Sequence, residues 1–227
     1  MFERLYESFE REKQFTSDAS HELRTPIAVI MAECEYALEE EDAEEWKEAL
    51  EVISRQGKKM SDFVEELLIF TRMERGAQQL QKKQVDLSEI VRLVCEEQCT
   101  IQQTAIQMHI DAPQEVLIEA DEKLIVRMVQ NLVGNAYKYG KEGGNVWVSC
   151  GYEGNRAFLS VKDDGVGIRS EELPNIWNRF YRADNARSDA ASAGLGLSMV
   201  KQIADLHHAE TVVKSKIGEG SEFLIFF

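Results

Sequence analysis

The chain is predicted to be multidomain: an all-α helical hairpin that pairs with a second copy into a four-helix bundle, followed by an α+β sandwich. Three observations carry this. The first third holds a single proline, Pro26, and its apolar residues recur at steps of three and four. Beyond Gly76 the periodicity gives way to short alternating runs mixed with helical ones. The 227 residues, 44% of them hydrophobic, suffice for one large or two modest globular units.

In the first region Phe2, Leu5, Phe9, Thr16, Ser20, Leu23, Ile27, Ile30, Cys34 and Ala37 trace one stripe. Trp46, Leu50, Ile53, Gly57, Met60, Val64 and Leu67 trace another, with Glu39–Glu45 carrying the turn. Two helices bury little surface alone, and each stripe is wide enough for more than one partner; a homodimeric bundle satisfies both. His21 lies just off the stripe, so its ring is expected in solvent, and Pro26 is expected to bend the helix.

Polar residues 79–84 read as a linker and Val85-Asp86-Leu87 as a short strand. Asp86 or Ser88 then caps a helix running to about Thr104, Asp86 and Glu89 matching a capping box. Strands are expected at Ile106–Ile110 and Glu115–Ala120, and a helix at Asp121–Tyr139. Asn145–Tyr152 and Asn155–Lys162 form a hairpin. A helix from Leu195 to His207 and a hairpin of Thr211–Lys216 with Ser221–Phe227 close the chain.

The net charge of −15 argues against nucleic-acid binding, which rewards clustered Lys and Arg. Four cysteines (Cys34, Cys95, Cys99, Cys150) lack metal-ligand spacing and read as reduced thiols. No apolar run approaches the length of a membrane span, and Met1-Phe2-Glu3-Arg4 does not resemble a signal peptide.

Several segments carry chemistry. His21-Glu22 sets an imidazole beside a carboxylate that can keep it neutral and oriented, as a phosphoaccepting nitrogen requires. An exposed helical histidine is otherwise an ordinary solvated residue. Asn131 and Asn135 lie at i and i+4 with Lys138 one step around, fit for Mg²⁺ and phosphate or simply a polar helix face. Asp163-Asp164-Gly165-Val166-Gly167 follows a strand; its carboxylate can accept from an exocyclic amine, and its glycines admit a base or form a plain turn. Gly194-Leu195-Gly196-Leu197 opens a helix and offers bare amides to phosphate. Arg179 and Arg182 bracket Phe180-Tyr181, and the segment from Arg182 through Ala193 reads as a lid.

In this order and spacing the histidine box, N-x-x-x-N-A-x-K-Y, D-x-G-x-G, R-F-Y-R, G-L-G-L and the closing Gly218–Phe223 hairpin resemble the catalytic core of bacterial two-component sensor histidine kinases. The resemblance covers nearly the whole chain. It implies a dimerisation and histidine-phosphotransfer domain (1–78), a linker (79–84) and a Bergerat-type (GHKL) ATP-binding domain (85–227). His21 would be the phosphoacceptor, Glu22 its orienting base, and Thr25 the residue placing a water for regulator dephosphorylation. Asn131 and Asn135 would hold Mg²⁺, Lys138 and Arg179 or Arg182 would meet phosphate, Tyr139 would flank the base and Asp163 would read adenine. Gly165, Gly167, Gly194, Leu195, Gly196 and Leu197 would shape the ATP pocket.

The implied reaction moves the ATP γ-phosphoryl to His21 and on to an aspartate of a response regulator receiver domain. The implied setting is cytoplasmic, as the catalytic part of a membrane-anchored sensor whose spanning parts lie outside this sequence. A phosphatase-dominant protein or an ATP-binding regulatory scaffold is the alternative. Gyrase-, chaperone- or mismatch-repair-type ATPases lack a histidine box on a dimerising hairpin. One departure from the family is Ala191-Ser192-Ala193, where further glycines and a Ser or Thr are common.

Overall fold

The three-and-four spacing of the first region is realised as two long helices, α1 (Phe2–Glu39) and α2 (Ala43–Glu74). The computed structural model describes residues 2–74, 80–101, 105–112, 115–182 and 194–227. The chain divides into two compact units, Met1–Ala77 and Gln78–Phe227.

Asp42 caps α2, its Oδ1 accepting the Glu44 N–H at 2.9 Å. Trp46 Nε1 donates to the Glu40 carbonyl at 2.8 Å, and the Tyr36 hydroxyl donates to Glu45 at 2.7 Å, fastening the ends of both helices across the turn. That bond to a carboxylate, with the surrounding acid, pushes the Tyr36 phenol up to about 12. Pro26 does not end α1, which continues through it to Glu39.

The buried side of α2 differs from the expected stripe. Ala49, Phe63, Phe70 and Met73 are buried, and Phe70 stacks on Phe15 of α1 with ring centroids 6.3 Å apart. Trp46, Leu50 and Val64, placed in the seam by sequence, are 45%, 63% and 41% exposed; Ile27, Met31, Leu38 and Leu68 are exposed too. The helix therefore has two apolar stripes, one used within the hairpin and one left open.

The second unit holds β1 (Lys83–Asp86), α3 (Leu87–Ile101), β2 (Gln107–Asp111), β3 (Leu117–Ala120), α4 (Glu122–Tyr139), β4 (Asn145–Glu153) and β5 (Arg156–Asp163). It ends with α5 (Gly196–Leu206), β6 (Glu210–Lys216) and β7 (Gly220–Phe226). Five strands form a mixed sheet in the order β2-β4-β5-β7-β6, parallel only between β2 and β4. β1 and β3 make a separate antiparallel pair. Helices α3, α4 and α5 pack on the sheet, giving the expected α+β sandwich.

Two expectations shift here. Lys83 and Gln84, read as linker, pair with Ala120 and Glu119, and Leu87, read as strand, opens α3. The cause is Asp86, whose Oδ1 accepts N–H bonds from Ser88 at 2.9 Å and Val116 at 3.2 Å. Those bonds end the strand and start the helix at one residue. The predicted continuation of α3 to Thr104 lies, after Ile101, outside the described residues.

The core is the alternation of Val146, Val148 and Cys150 on β4 and Leu159 and Val161 on β5, set against Ile125, Met128, Val129, Leu132 and Val133 of α4. Met199, Val200 and Ile203 of α5 are fully buried as well. All four cysteines are free thiols; burial pushes Cys95 up to about 12, so it stays protonated and inert.

Candidate functional site

On α1, His21 and Thr25 are exposed and Glu22 is half-buried. The exposure of His21 agrees with its place off the stripe. Ser20, its neighbour, donates its hydroxyl to the Thr16 carbonyl at 2.8 Å, and Thr16 does the same to Glu12 at 3.0 Å. Pro26 has no N–H to give to the Glu22 carbonyl, so one rung of the helix is missing beside the histidine. The arrangement is an accessible imidazole on a rigid helix, with a carboxylate next to it and a hydroxyl one turn on.

In the second unit three elements converge. Asp121 caps α4 through Oδ1, which sets the helix that carries Asn131, Asn135, Lys138 and Tyr139. Asn131 Nδ2 donates to the Arg127 carbonyl at 3.0 Å and lies 3.7 Å from Met199 Sδ on α5. Only a nitrogen can make the bond to that carbonyl, so Oδ1 is fixed toward Gly196, where an added Cβ would sit 3.0 Å away. Asn135 is half-buried on the same helix, one turn further. Lys138 Nζ lies 5.1 Å above the Tyr139 ring.

The loop after β5 is held against the end of α4. Val166 N–H donates to the Tyr139 carbonyl at 3.1 Å, and a Cβ on Gly165 would overlap that same oxygen. Gly167 has φ +68° and abuts the Lys216 backbone, while the Gly218 N–H donates to the Val166 carbonyl at 2.9 Å. Asp163 is 5% exposed, and its Oδ1 accepts the Gly165 N–H at 2.8 Å. Burial raises its carboxyl above the usual range, offset in part by bonds from the Gly165 and Ser221 amides.

The start of α5 has no side-chain cap. Leu195 is buried and anchors it; Gly194 (φ +71°) accepts the Phe180 N–H at 3.0 Å, and Gly196 and Leu197 are half-exposed. The amides of this first turn have no partner from their own cap residue, the arrangement that favours an anion. Arg179 and Arg182 are half-buried on the segment that Phe180 ties to Gly194. The expected lid past Arg182, including Ala191-Ser192-Ala193, lies outside the described residues.

Donor chemistry fits a magnesium–triphosphate rather than a bare metal. Asn131 and Asn135 offer neutral amide oxygens, which suit Mg²⁺ beside charged phosphates; among the described residues no cluster of three His, Cys, Asp or Glu is present. Asn131 Oδ1, oriented by its own nitrogen's bond, fits that task.

Sequence reasoning missed Glu172. It is 7% exposed, accepts from Arg169 Nη2 at 2.8 Å and from the Tyr181 hydroxyl at 3.4 Å, and so ties the loop after Gly167 to the R-F-Y-R segment. The Arg169 guanidinium holds its carboxyl below the usual range. An acid within a Glu-Glu pair gives no local signal of burial. Among the described residues, no helix is long and apolar enough to cross a membrane.

Residues 11–76 match the family described as His Kinase A (phospho-acceptor) domain, and residues 120–227 match Histidine kinase-, DNA gyrase B-, and HSP90-like ATPase. The chain is 35% identical over 226 residues to the sensor histidine kinase YkoH of Bacillus subtilis, covering 98% of the chain and 49% of that protein. It is 34% identical over 230 residues to the sensor protein kinase PmrB of Pseudomonas aeruginosa, covering 100% of the chain and 47% of that protein. The chain thus spans about half the length of the curated relatives it matches. Among solved structures, the histidine kinase AdeS of Acinetobacter baumannii aligns with a TM-score of 0.73 at 22% identity over 91% of this chain and 96% of that one. The histidine kinase ThkA, solved in complex with the response regulator protein TrrA, aligns with a TM-score of 0.72 at 21% identity over 99% of this chain and 65% of that one. At such identities the likeness is one of fold.

Proposed function

The chain belongs to the two-component sensor histidine kinases, as the catalytic core of that family, and on this premise we propose that it transfers the ATP γ-phosphoryl group to His21 and then to a receiver-domain aspartate. The observation that carries the proposal is the convergence of α4, the Asp163 loop and the uncapped start of α5, in a chain that also presents an exposed histidine on a helical hairpin.

In this reading Asp163 accepts the exocyclic amine of adenine and Tyr139 flanks the ring. Gly165 and Gly167 leave room for the base, and Gly194, Leu195, Gly196 and Leu197 present α5 amides to phosphate. Asn131 and Asn135 hold Mg²⁺, which neutralises phosphate charge; Lys138, Arg179 and Arg182 add cations. Phosphoryl transfer depends on such positioning and neutralisation more than on covalent help. Glu22 orients His21 and takes the proton from its other ring nitrogen, so that a ring nitrogen lone pair attacks the γ-phosphorus as ADP leaves. Thr25 serves the opposing reaction, helping place a water that hydrolyses the phosphoaspartate of a phosphorylated regulator to aspartate and inorganic phosphate. Domains at 1–78 and 85–227 flank the junction.

The open stripe of Trp46, Leu50 and Val64 supports a homodimer through the hairpin. The partner is a response regulator; in the ThkA–TrrA complex a neighbour of the same fold holds one. The setting is the cytoplasmic face of a membrane-anchored sensor, consistent with relatives about twice as long.

Incubation with γ-labelled ATP and Mg²⁺ tests the proposal. The expected product is an acid-labile, base-stable phosphoryl group, absent in His21→Ala and chased onto a receiver domain. Label that survives His21→Ala overturns the assignment.

A further inference from the structure

Asp163 and Asp164 are adjacent acids with opposite surroundings. Asp163 turns into the unit, while Asp164 grips the start of β4. Asp164 Oδ1 accepts the Asn145 backbone N–H at 2.9 Å, and Oδ2 accepts Asn145 Nδ2 at 3.1 Å. The Asp164 N–H returns a longer bond to the Asn145 carbonyl at 3.3 Å. Asn145 Oδ1 in turn lies 2.8 Å from Nε2 of His109 on β2. Asn145 spends its nitrogen on the carboxylate, so its oxygen must accept, and His109 must donate from Nε2. The His109 ring is itself stacked on Trp147, centroids 5.6 Å apart, with Lys162 Nζ 5.4 Å from the same indole.

Two further observations mark this as a built clamp. A Cβ on Gly144 would overlap Asp164 Oδ1 and sit 2.8 Å from the Lys141 carbonyl, so the carboxylate occupies space only glycine leaves. The Asn145 backbone amide, first among several bonds, also holds the Asp164 carboxyl below the usual range, so the acceptor stays ionised. The turn Lys141–Gly144 follows directly from α4, whose last residue, Tyr139, takes the Val166 N–H. The clamp therefore fixes the loop carrying Asp163 to the end of α4.

We infer that Asp164, Asn145 and His109 are positioning residues that set the Asp163 carboxylate for selection of adenine. Their effect on the nucleotide passes through the Asp163–Gly165 turn. The inference rests on the reading of Asp163 as the acceptor of the adenine amine, and the experiment separates the two.

Dissociation constants of the full chain for ATP and for purine riboside triphosphate, which lacks the exocyclic amine, are measured by calorimetry. The unsubstituted chain is expected to prefer ATP by about tenfold to a hundredfold, the worth of one buried polar contact. Asp164→Ala is expected to shrink that ratio to within about threefold while affinity for purine riboside triphosphate changes little; Asp164→Asn, which keeps one acceptor oxygen, restores part of it. Should Asp164→Ala fail to fold by its melting curve, Asn145→Ser and the exposed-site variant His109→Ala are expected to lower the ratio in the same direction. An undiminished ATP preference in the folded variants overturns the inference alone. Equal affinities in the unsubstituted chain overturn the reading of Asp163 and the inference with it. Equal weakening toward both nucleotides also overturns it, since a merely structural role acts that way.

Discussion

The backbone N–H of Asp121 donates to Nε2 of His207 at 3.0 Å, joining the N-cap of α4 to the residue that ends α5. The other ring nitrogen, Nδ1, lies 2.8 Å from the Ile203 carbonyl and must donate to it. Nε2 is then a bare acceptor and the buried ring is neutral. The two helices that bring Asn131 and Gly196 together are thus tied at a second point, away from that contact.

Protonating His207 would set an N–H against the Asp121 N–H. Burial, the first cause, holds its folded pKa below the ordinary 6.5. Between the two values the unfolded chain binds more protons, so this contribution is full above about pH 6.5 and declines as pH falls toward the folded value. Melting of residues 78–227 is expected to soften over that interval. His207→Gln, able to accept and donate in the same places, is expected to flatten it. An unchanged slope in His207→Gln would remove His207 as the cause.

Asp163 has the opposite sign. Its carboxyl is raised by burial, so the ionised form at neutral pH works against folding, and the deficit grows as pH rises through the folded pKa. Asp163→Asn keeps an oxygen for the Gly165 N–H while removing the charge. The nucleotide-free protein is expected to melt higher, yet to lose the stabilisation that ATP gives the unsubstituted chain. Calorimetric melting with and without Mg²⁺–ATP checks both halves; a lower melting point without nucleotide would contradict the charge argument.

Two glycines of the same region should respond oppositely to alanine. At Gly165 the new methyl would overlap the Tyr139 carbonyl, and backbone cannot move aside cheaply, so Gly165→Ala should cost roughly 1–3 kcal/mol. Gly134 sits mid-helix in α4 with open space around its Cβ position, so Gly134→Ala should gain up to about 1 kcal/mol from helix propensity. Urea unfolding of both variants tests the pair, and equal effects would show that sterics at Gly165 do not govern the turn.

The elements that sequence located well are those whose signals are local. Asp121 and the apolar spacing from Leu124 to Tyr137 fix α4 within one residue, and Gly154 places the β4–β5 turn, with φ +62°. What it misread depended on distant partners. Lys83 and Gln84 look like linker because an exposed strand needs no apolar residues; only pairing with β3 makes them strand. On α2 both apolar stripes recur at three and four, and nothing local says that Phe63 and Phe70 are buried while Leu50 and Val64 stay open. The Asp164–Asn145–His109 chain joins residues far apart in sequence, so Asp164 alone looked like part of a turn.

His21, Glu22 and Thr25 border one stretch of α1, and their substitution should separate two activities. Glu22 is half-buried next in sequence to an exposed His21, and it is the base of the proposed transfer. Glu22→Ala is expected to slow ATP-dependent labelling by about 10²–10⁴, the range a positioned acid–base group supplies. Thr25 is exposed one turn on, next to Pro26. Thr25→Ala is expected to label at close to the unsubstituted rate while slowing loss of phosphate from a phosphorylated receiver domain. Single-turnover labelling and a receiver dephosphorylation assay, run on variants with unchanged helical circular dichroism, read the two effects. Loss of labelling in Thr25→Ala, or full-rate labelling in Glu22→Ala, would show that these neighbours do not divide the reaction in this way.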